Sequence, residues 1–400
     1  MLFFLHNGSM NILQNIFTEH YEEMIYTLHP RESVIENVEK MIRCGDASFG
    51  GAMYVCPDCN EWKFVPFRCH SRFCPTCGNM YAIDRTTAMS FKLMYCTHRH
   101  CVFTIPEQLR HFFLNDRSLL NCLFAAVRSV VLRMFYKENK SKNFVPGMVC
   151  VLHTFGRSLH WNPHIHCLIS ETAVSNDNFC RKFTHFNYTF LRNAFCTALL
   201  NLLHEKIGDS FKKWKAYIYN KCKNGFYVYA KPNLCNPKEV LKYVGRYLGR
   251  PVIATSRIDY YDGDNVIFHY NRHEDDILVT EVLPAMEFIA RLIQHIPEKH
   301  FKMVRYYGIY ARHRESDKKL YRIISKQAQK VLLQFNQWRM SILNSFGYDP
   351  LQCPKCGKNM RILEIYYNHR PVSLQDLYER TMRKHGCRSP SNSIPQRSRS

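Results

Sequence analysis

Apolar residues recur at helical spacing through residues 11 to 43, first at Ile12, Ile16, Met24 and Leu28 and then, after Pro30, at Val34, Ile35, Val38, Met41 and Ile42. The pattern predicts two helices. Between Cys44 and Cys77 the periodicity stops and Cys, Gly and Pro dominate, so order there is expected to come from metal rather than from an apolar core. From His100 the patterns alternate. HCVFTIP reads as a strand, residues 107 to 136 as helix, and GMVCVLHTFG with HIHCLIS as two strands joined by a loop. A helical stretch near 180 to 206 precedes the strand GFYVYA, and NPKEVLKYVGRYLGR opens on an Asn-Pro start signal and keeps helical spacing to Gly249. Residues 260 to 283 read as short strands, PAMEFIARLIQHI as an amphipathic helix and 316 to 345 as a basic amphipathic helix. The tail from Arg388 is Ser, Pro and Arg, with little to bury, and is expected to be disordered. Helices and strands mixed in this order indicate a compact α+β or α/β domain.

Composition narrows the partner. The 400 residues, 46% hydrophobic and 14% aromatic, suffice for one or two buried cores with smaller modules. Lys and Arg number 55 against 33 Asp and Glu, a net charge of +22, which points to a polyanion and foremost to nucleic acid. No apolar run approaches the roughly 18 residues of a membrane span. MLFFLHNGSM lacks the basic start and long apolar stretch of a signal peptide. The chain therefore reads as cytoplasmic, with no membrane partner. Its 18 cysteines then point to metal and reduced buried thiols rather than to disulfides.

Three C-x-x-C pairs occur, each with Pro after the first Cys. Cys56, Cys59, Cys74 and Cys77 have close to the spacing of a four-cysteine zinc site. Cys44, Cys69 and His70 are further ligand candidates for a second ion, although a lone Cys or His is more often a packed residue. Cys353 and Cys356 supply only two ligands and need partners from elsewhere; Cys387 and His385 lie downstream in the tail, and a plain turn is the alternative. HWNPHIHCLIS places His164 and His166 two apart in a strand, so both imidazoles leave one face while Ile165 enters the core. Such a pair suits two ligands of one divalent ion. With 20 histidines, roughly one H-x-H is expected by chance, and His98 and His100 form a second example that reads as a decoy. His153 on the preceding strand is a possible third ligand, or a histidine hydrogen-bonded within the sheet. Tyr243 and Tyr247 stand four apart on an expected helix, so both phenols share a face. Packing is the ordinary reading of such a pair. Arg246 and Arg250 interleaved with them, with Lys231 and Arg257 flanking, suit contact with DNA phosphates instead.

The order of these motifs resembles the two-tyrosine HUH transposases of the insertion-sequence-ninety-one type, named for their histidine-hydrophobic-histidine motif. The resemblance runs from about residue 31 to 365 through CPDCNEWKFVPFRCHSRFCPTCG, VFTIPEQLR, LHTFGRSLHWNPHIH, YVYAKPN, VLKYVGRYLGRPVIATSRI, MVRYYGIYARHR and LQCPKCGKNM. It implies an α+β fold: an HUH nuclease domain with an antiparallel sheet core and flanking helices at 86–262, behind a zinc-binding module at 44–85. N-terminal helices fill 1–43, C-terminal strands and basic helices 263–350, a C-x-x-C knuckle 351–365 and a basic tail 366–400. It also implies His164 and His166 as ligands of Mg²⁺ or Mn²⁺, Zn²⁺ at the cysteines, and Tyr243 and Tyr247 as nucleophiles that nick and rejoin single-stranded DNA through a 5′-phosphotyrosine. The absence of a G-x-x-x-x-G-K-[ST] loop agrees with rejoining that needs no ATP. A plasmid replication initiator or relaxase would use the same histidines and tyrosine, and a non-catalytic zinc-dependent DNA-binding protein would explain the charge and cysteines alone.

Overall fold

The computed structural model describes residues 11–138, 143–175, 177, 179–230, 251–272, 274–311 and, with breaks, 325–379. In chain order these form α1 (Ile12–Glu19), α2 (Tyr21–Leu28), α3 (Glu32–Ile42), β1 (Gly51–Val55), β2 (Trp62–Pro66), α4 (Pro75–Ser90), β3 (His98–Thr104), α5 (Glu107–Asn115) and α6 (Leu120–Glu138). There follow β4 (Val145–Phe155), β5 (Trp161–Val174), β6 (Cys180–Lys182), α7 (Tyr188–Ile207), α8 (Lys212–Lys221) and β7 (Val228–Ala230). The last are β8 (Ile258–Tyr261), β9 (Asn265–Asn271), β10 (Leu278–Pro284), α9 (Ala285–Ile293), β11 (Val304–Gly308), β12 (Arg361–Tyr367) and β13 (Arg370–Val372). They fall into two compact units. One holds Arg43–Cys69 with the chain from Trp338 onward, the other Met10–Ile42 with His70–Gln337.

The larger unit is built on an antiparallel sheet in the order β11-β4-β5-β3-β7, with β6 pairing the far end of β5. Period-two alternation gives the sheet two unlike faces. On one, Leu152, Ile165, Phe103 and Val228 stand in register across four strands and are fully or almost fully buried in the main core. Helix α6 packs over β4 and β5 on that core, and α7 packs on α6. The other face carries His98, His100, His153, His164 and His166 beside a smaller apolar cluster that includes Met89, Leu93, Val149, Val151, Leu168 and Tyr310. Ile165 enters the core as its place between two histidines requires.

Several boundaries differ from the sequence reading. The N-terminal stretch is three helices, because the chain breaks at His20 as well as near Pro30. The helix expected over 107–136 is interrupted where Asp116 turns to extended backbone and its carboxylate accepts the Ser118 N–H at 2.8 Å. Residues 180–182 are not the start of a helix but a short strand with all three residues exposed. Among the described residues, Arg117–Lys137 is long and apolar enough to cross a membrane, against the expectation that no run comes near. It is a core helix: Leu123, Phe124, Val127, Val130 and Val131 are wholly buried. The helix expected over 236–249 and most of that over 316–345 lie outside the described residues.

The smaller unit is a four-stranded antiparallel sheet, β13-β12-β1-β2. The knuckle at 351–365 is thus no separate module, because β12 pairs along the length of β1. Residues 370–372, expected in the tail, are the strand that pairs with β12, and 70–85 belong to the larger unit. Neither the segment 43–69 nor the knuckle has enough apolar residues to bury a core by itself, so the two are folded as one.

Candidate functional site

The β4–β5 hairpin places His153 directly opposite His164, and Val151 opposite His166. One ring nitrogen from each of His153, His164 and His166 lies within 4.8 Å of the other two. His164 Nδ1–H donates to the Asn162 carbonyl at 2.6 Å, a bond that fixes its tautomer and turns the Nε2 lone pair toward His166 Nε2, 3.1 Å away. Two imidazole nitrogens bound to one ion at about 2.1 Å stand roughly 3 to 3.4 Å apart. The three-histidine donor set therefore fits a divalent cation. Its burial is graded: His153 and His166 are buried, His164 half-buried, which gives an ion here an open side, as a catalytic metal needs.

A fourth histidine lies behind the three. His100 on β3 is buried, its ring stacked on that of His166 with centroids 5.2 Å apart and 14° between planes. His100 Nε2 and His166 Nδ1 are 3.0 Å apart and share a hydrogen bond. When His166 gives Nε2 to a metal, its Nδ1 carries the proton and donates it to His100 Nε2, which holds the ring in orientation. His98, its partner in the apparent decoy, is structural: Nδ1 meets the Cys96 carbonyl at 2.9 Å, Nε2 meets the Tyr310 hydroxyl, and burial lowers its pKa to about 4. The H-x-H pattern at 98–100 thus joins a packing histidine to one that supports the site. Only the pairing of β3 with β5, invisible in local sequence, distinguishes them.

Tyr243, Tyr247, Lys231, Arg246 and Arg250 lie outside the described residues. Arg257 is described, and its guanidinium is engaged within the fold, with Nε donating to the His269 carbonyl at 2.9 Å and Nη2 to the Arg157 carbonyl at 2.6 Å.

The cysteines are grouped differently from their order in sequence. Cys56 and Cys59 stand with Cys353 and Cys356, all four thiols within 4.8 Å of one another, and not with Cys74 and Cys77. Sγ–Sγ distances of 3.5 Å join Cys56 to Cys356, and Cys59 to both Cys353 and Cys356. Four sulfurs placed about 2.3 Å from a tetrahedral zinc are about 3.8 Å apart, whereas a disulfide is about 2.05 Å. The set fits zinc. Both pairs sit in the same turn. Asn60 N–H bonds to the Cys56 carbonyl and Cys56 N–H to the Glu61 carbonyl; Gly357 N–H bonds to the Cys353 carbonyl and Cys353 N–H to the Lys358 carbonyl. Each turn needs a left-handed residue just after its second cysteine, supplied by Asn60 (φ 58°) and Gly357 (φ 73°). At Cys353 burial raises the thiol pKa, but the N–H groups of Cys356 and Lys355 and the neighbouring thiols outweigh it and leave the group at about 7. Cys69 N–H points to Cys44 Sγ at 3.4 Å, and Cys74 and Cys77 open α4, both buried.

Residues 147–317, which contain the histidine hairpin, match a family described as "Putative transposase", and residues 16–105 match a "Transposase zinc-binding domain". The chain is 27% identical to the transposase for insertion sequence element IS801 of Pseudomonas savastanoi pv. phaseolicola over 377 residues, which cover 87% of this chain and 88% of that protein. It is 26% identical over 347 residues to "Putative transposase y4qJ" of Sinorhizobium fredii, covering 81% of this chain and 87% of the relative. No solved structure matches it. Together these matches support a transposase of the insertion-sequence-ninety-one type with a zinc-binding domain toward its N-terminal end.

Proposed function

We propose that this transposase works by the rolling-circle route, nicking and rejoining single-stranded DNA at the ends of its element through tyrosine attack beside a histidine-held divalent ion. The observation that carries the reading is the convergence of His153, His164 and His166 on one point of one sheet face. Mg²⁺ or Mn²⁺ bound there would neutralise charge on the scissile phosphate. The protein's part is to hold His164 against the Asn162 carbonyl and His166 against His100, so that the ligands need not reorganise. Tyr243 and Tyr247 are the proposed nucleophiles. A phenolic oxygen bonds to phosphorus, the bond from phosphorus to the 3′ oxygen breaks, and the leaving oxygen takes up a proton as a free 3′-hydroxyl. One phosphoester replaces another, so rejoining is the same step reversed. A second tyrosine lets one DNA end be held while another is attacked. Lys231, Arg246 and Arg250 would contact phosphates, while Arg257 holds the His269 and Arg157 carbonyls.

Zinc at Cys56, Cys59, Cys353 and Cys356 would order the smaller unit. Cys44, Cys69, Cys74 and Cys77 leave enough thiols in the chain for a second ion, so metal analysis should return more than one zinc. The reaction itself is tested by incubating the protein with single-stranded DNA and Mn²⁺ and resolving the products on a denaturing gel. A covalent protein–DNA adduct is expected, lost in the double variant Tyr243→Phe, Tyr247→Phe. Cleavage without an adduct, or an adduct that survives the double change, rules tyrosine catalysis out.

A further inference from the structure

Among the described residues strand β7 is the last of the large sheet, and the residues that lead into it and form it alternate sharply. Phe226 and Val228 are buried, whereas Tyr227 and Tyr229 are 57% and 40% exposed. Large aromatic rings normally contribute by burial, so two turned to water on one strand need another reason. The register identifies their face. Val102 on β3 stands opposite Tyr229 on one side and opposite His166 on the other, and residues directly opposite in antiparallel strands project the same way. Tyr229 thus lies in one cross-sheet row with His166, two strand spacings or about 10 Å away. Tyr227, two residues before it, shares that face, and the two rings stack with centroids 6.3 Å apart and 20° between planes.

A cation completes the arrangement. The Arg192 guanidinium on α7 lies 5.8 Å from the centre of the Tyr227 ring. The local backbone holds it near: Phe226 N–H bonds to the Arg192 carbonyl at 3.2 Å, and Gly225, at φ 74°, passes so close that a Cβ would stand 2.4 Å from the Arg192 carbonyl carbon. Aromatic faces beside a guanidinium are what unpaired bases and their phosphates bind, and every base has a π face. Duplex DNA keeps its base faces inside the stack.

We propose that Tyr227 and Tyr229, with Arg192, form a base-stacking platform for single-stranded DNA, positioning the nucleotides that flank a phosphate held at the histidines. The proposal rests on the reading of the histidine site as a DNA-cleaving centre, and the test separates the two. Binding of the full chain to fluorescein-labelled oligo(dT) is followed by anisotropy over a salt series. The double variant Tyr227→Ala, Tyr229→Ala should bind at least about tenfold more weakly, with an unchanged salt slope because its phosphate contacts remain. The double Phe variant should keep wild-type affinity, since it keeps both rings. Unfolding midpoints of all variants within about 3 °C of wild type show that the fold is intact. Wild-type affinity in the Ala variant, an equal loss in the Phe variant, or tighter binding to the duplex would each overturn the platform. Tyrosine-dependent binding without any covalent adduct would sink the cleavage reading and leave the platform standing. Loss of the adduct in the Phe variant would make these tyrosines nucleophiles instead.

Discussion

The cysteine and histidine sites of this chain use metal-binding side chains in opposite ways. In the smaller unit the ligands are the core: Cys56 and Cys353 are buried in a cluster completed by Ala52, Tyr54, Val65 and Met360. In the larger unit the histidines stand on a sheet whose other face is already closed by a core with Phe103, Phe113, Phe124 and Phe195 fully buried. Where thiols replace a core, a bound metal contributes folding free energy; where a core exists already, a metal at the histidines would be left for chemistry.

The contrast is broken most severely by removing zinc. Structural zinc is worth on the order of 10 kcal/mol in small modules, so chelation, or Cys353→Ser, should unfold the smaller unit while the larger one persists. Hydrogen exchange should show β1, β2 and β12 losing protection and β3, β4 and β5 keeping theirs. Protection retained in β1 after complete zinc loss would mean that the apolar cluster suffices.

The matching change at the other site is His164→Ala, which should lower metal-dependent DNA cleavage by at least about 10³-fold, or ~4 kcal/mol. Its unfolding midpoint should stay within about 3 °C of wild type. A large drop in that midpoint would make the histidines structural.

Acid should weaken the larger unit through histidines outside the three-histidine cluster. Burial holds His98 at about 4 and His295 at about 3, below the unfolded value of about 6.5. The unfolded chain therefore takes up these protons first as pH falls. Their contribution is intact above pH ~6.5 and is lost as pH drops toward the folded values, about 3 kcal/mol for His98. Denaturant titrations from pH 8 downward check this; a flat stability between about pH 6 and 4.5 would contradict it.

The smallest expected effect falls on His100. His100→Leu removes the acceptor behind His166 and should weaken Mn²⁺ binding about 10- to 100-fold, measured by calorimetry without DNA. His100→Gln can present Oε1 to the same N–H and should recover most of the loss. Equal affinities for Leu and Gln would reduce His100 to packing.

Much of this was legible wherever the deciding interaction is local. The alternation in HIHCLIS placed Ile165 inward and the two histidines together, and the apolar spacing after Pro284 marked α9. What escaped was set at long range. The partners of Cys56 and Cys59 lie about three hundred residues on, and the spacing in CPDC and CPTC suggested a nearer match because a C-x-x-C pair does not encode its partner. Helix α4 was missed because the apolar residues of PTCGNMYAIDRTTAMS show no stripe. His100 looked like chance because its role depends on which strand pairs with β3.

The account turns on a divalent ion held by the β4–β5 hairpin. Titration of the zinc-loaded protein with Mn²⁺, followed by the loss of free-ion electron paramagnetic resonance signal, tests it directly. The wild type should take up one Mn²⁺ per chain, and His153→Ala, His164→Ala and His166→Ala should each weaken or abolish that uptake while leaving the zinc content unchanged. Undiminished Mn²⁺ binding in the His164→Ala, His166→Ala double variant would contradict the account.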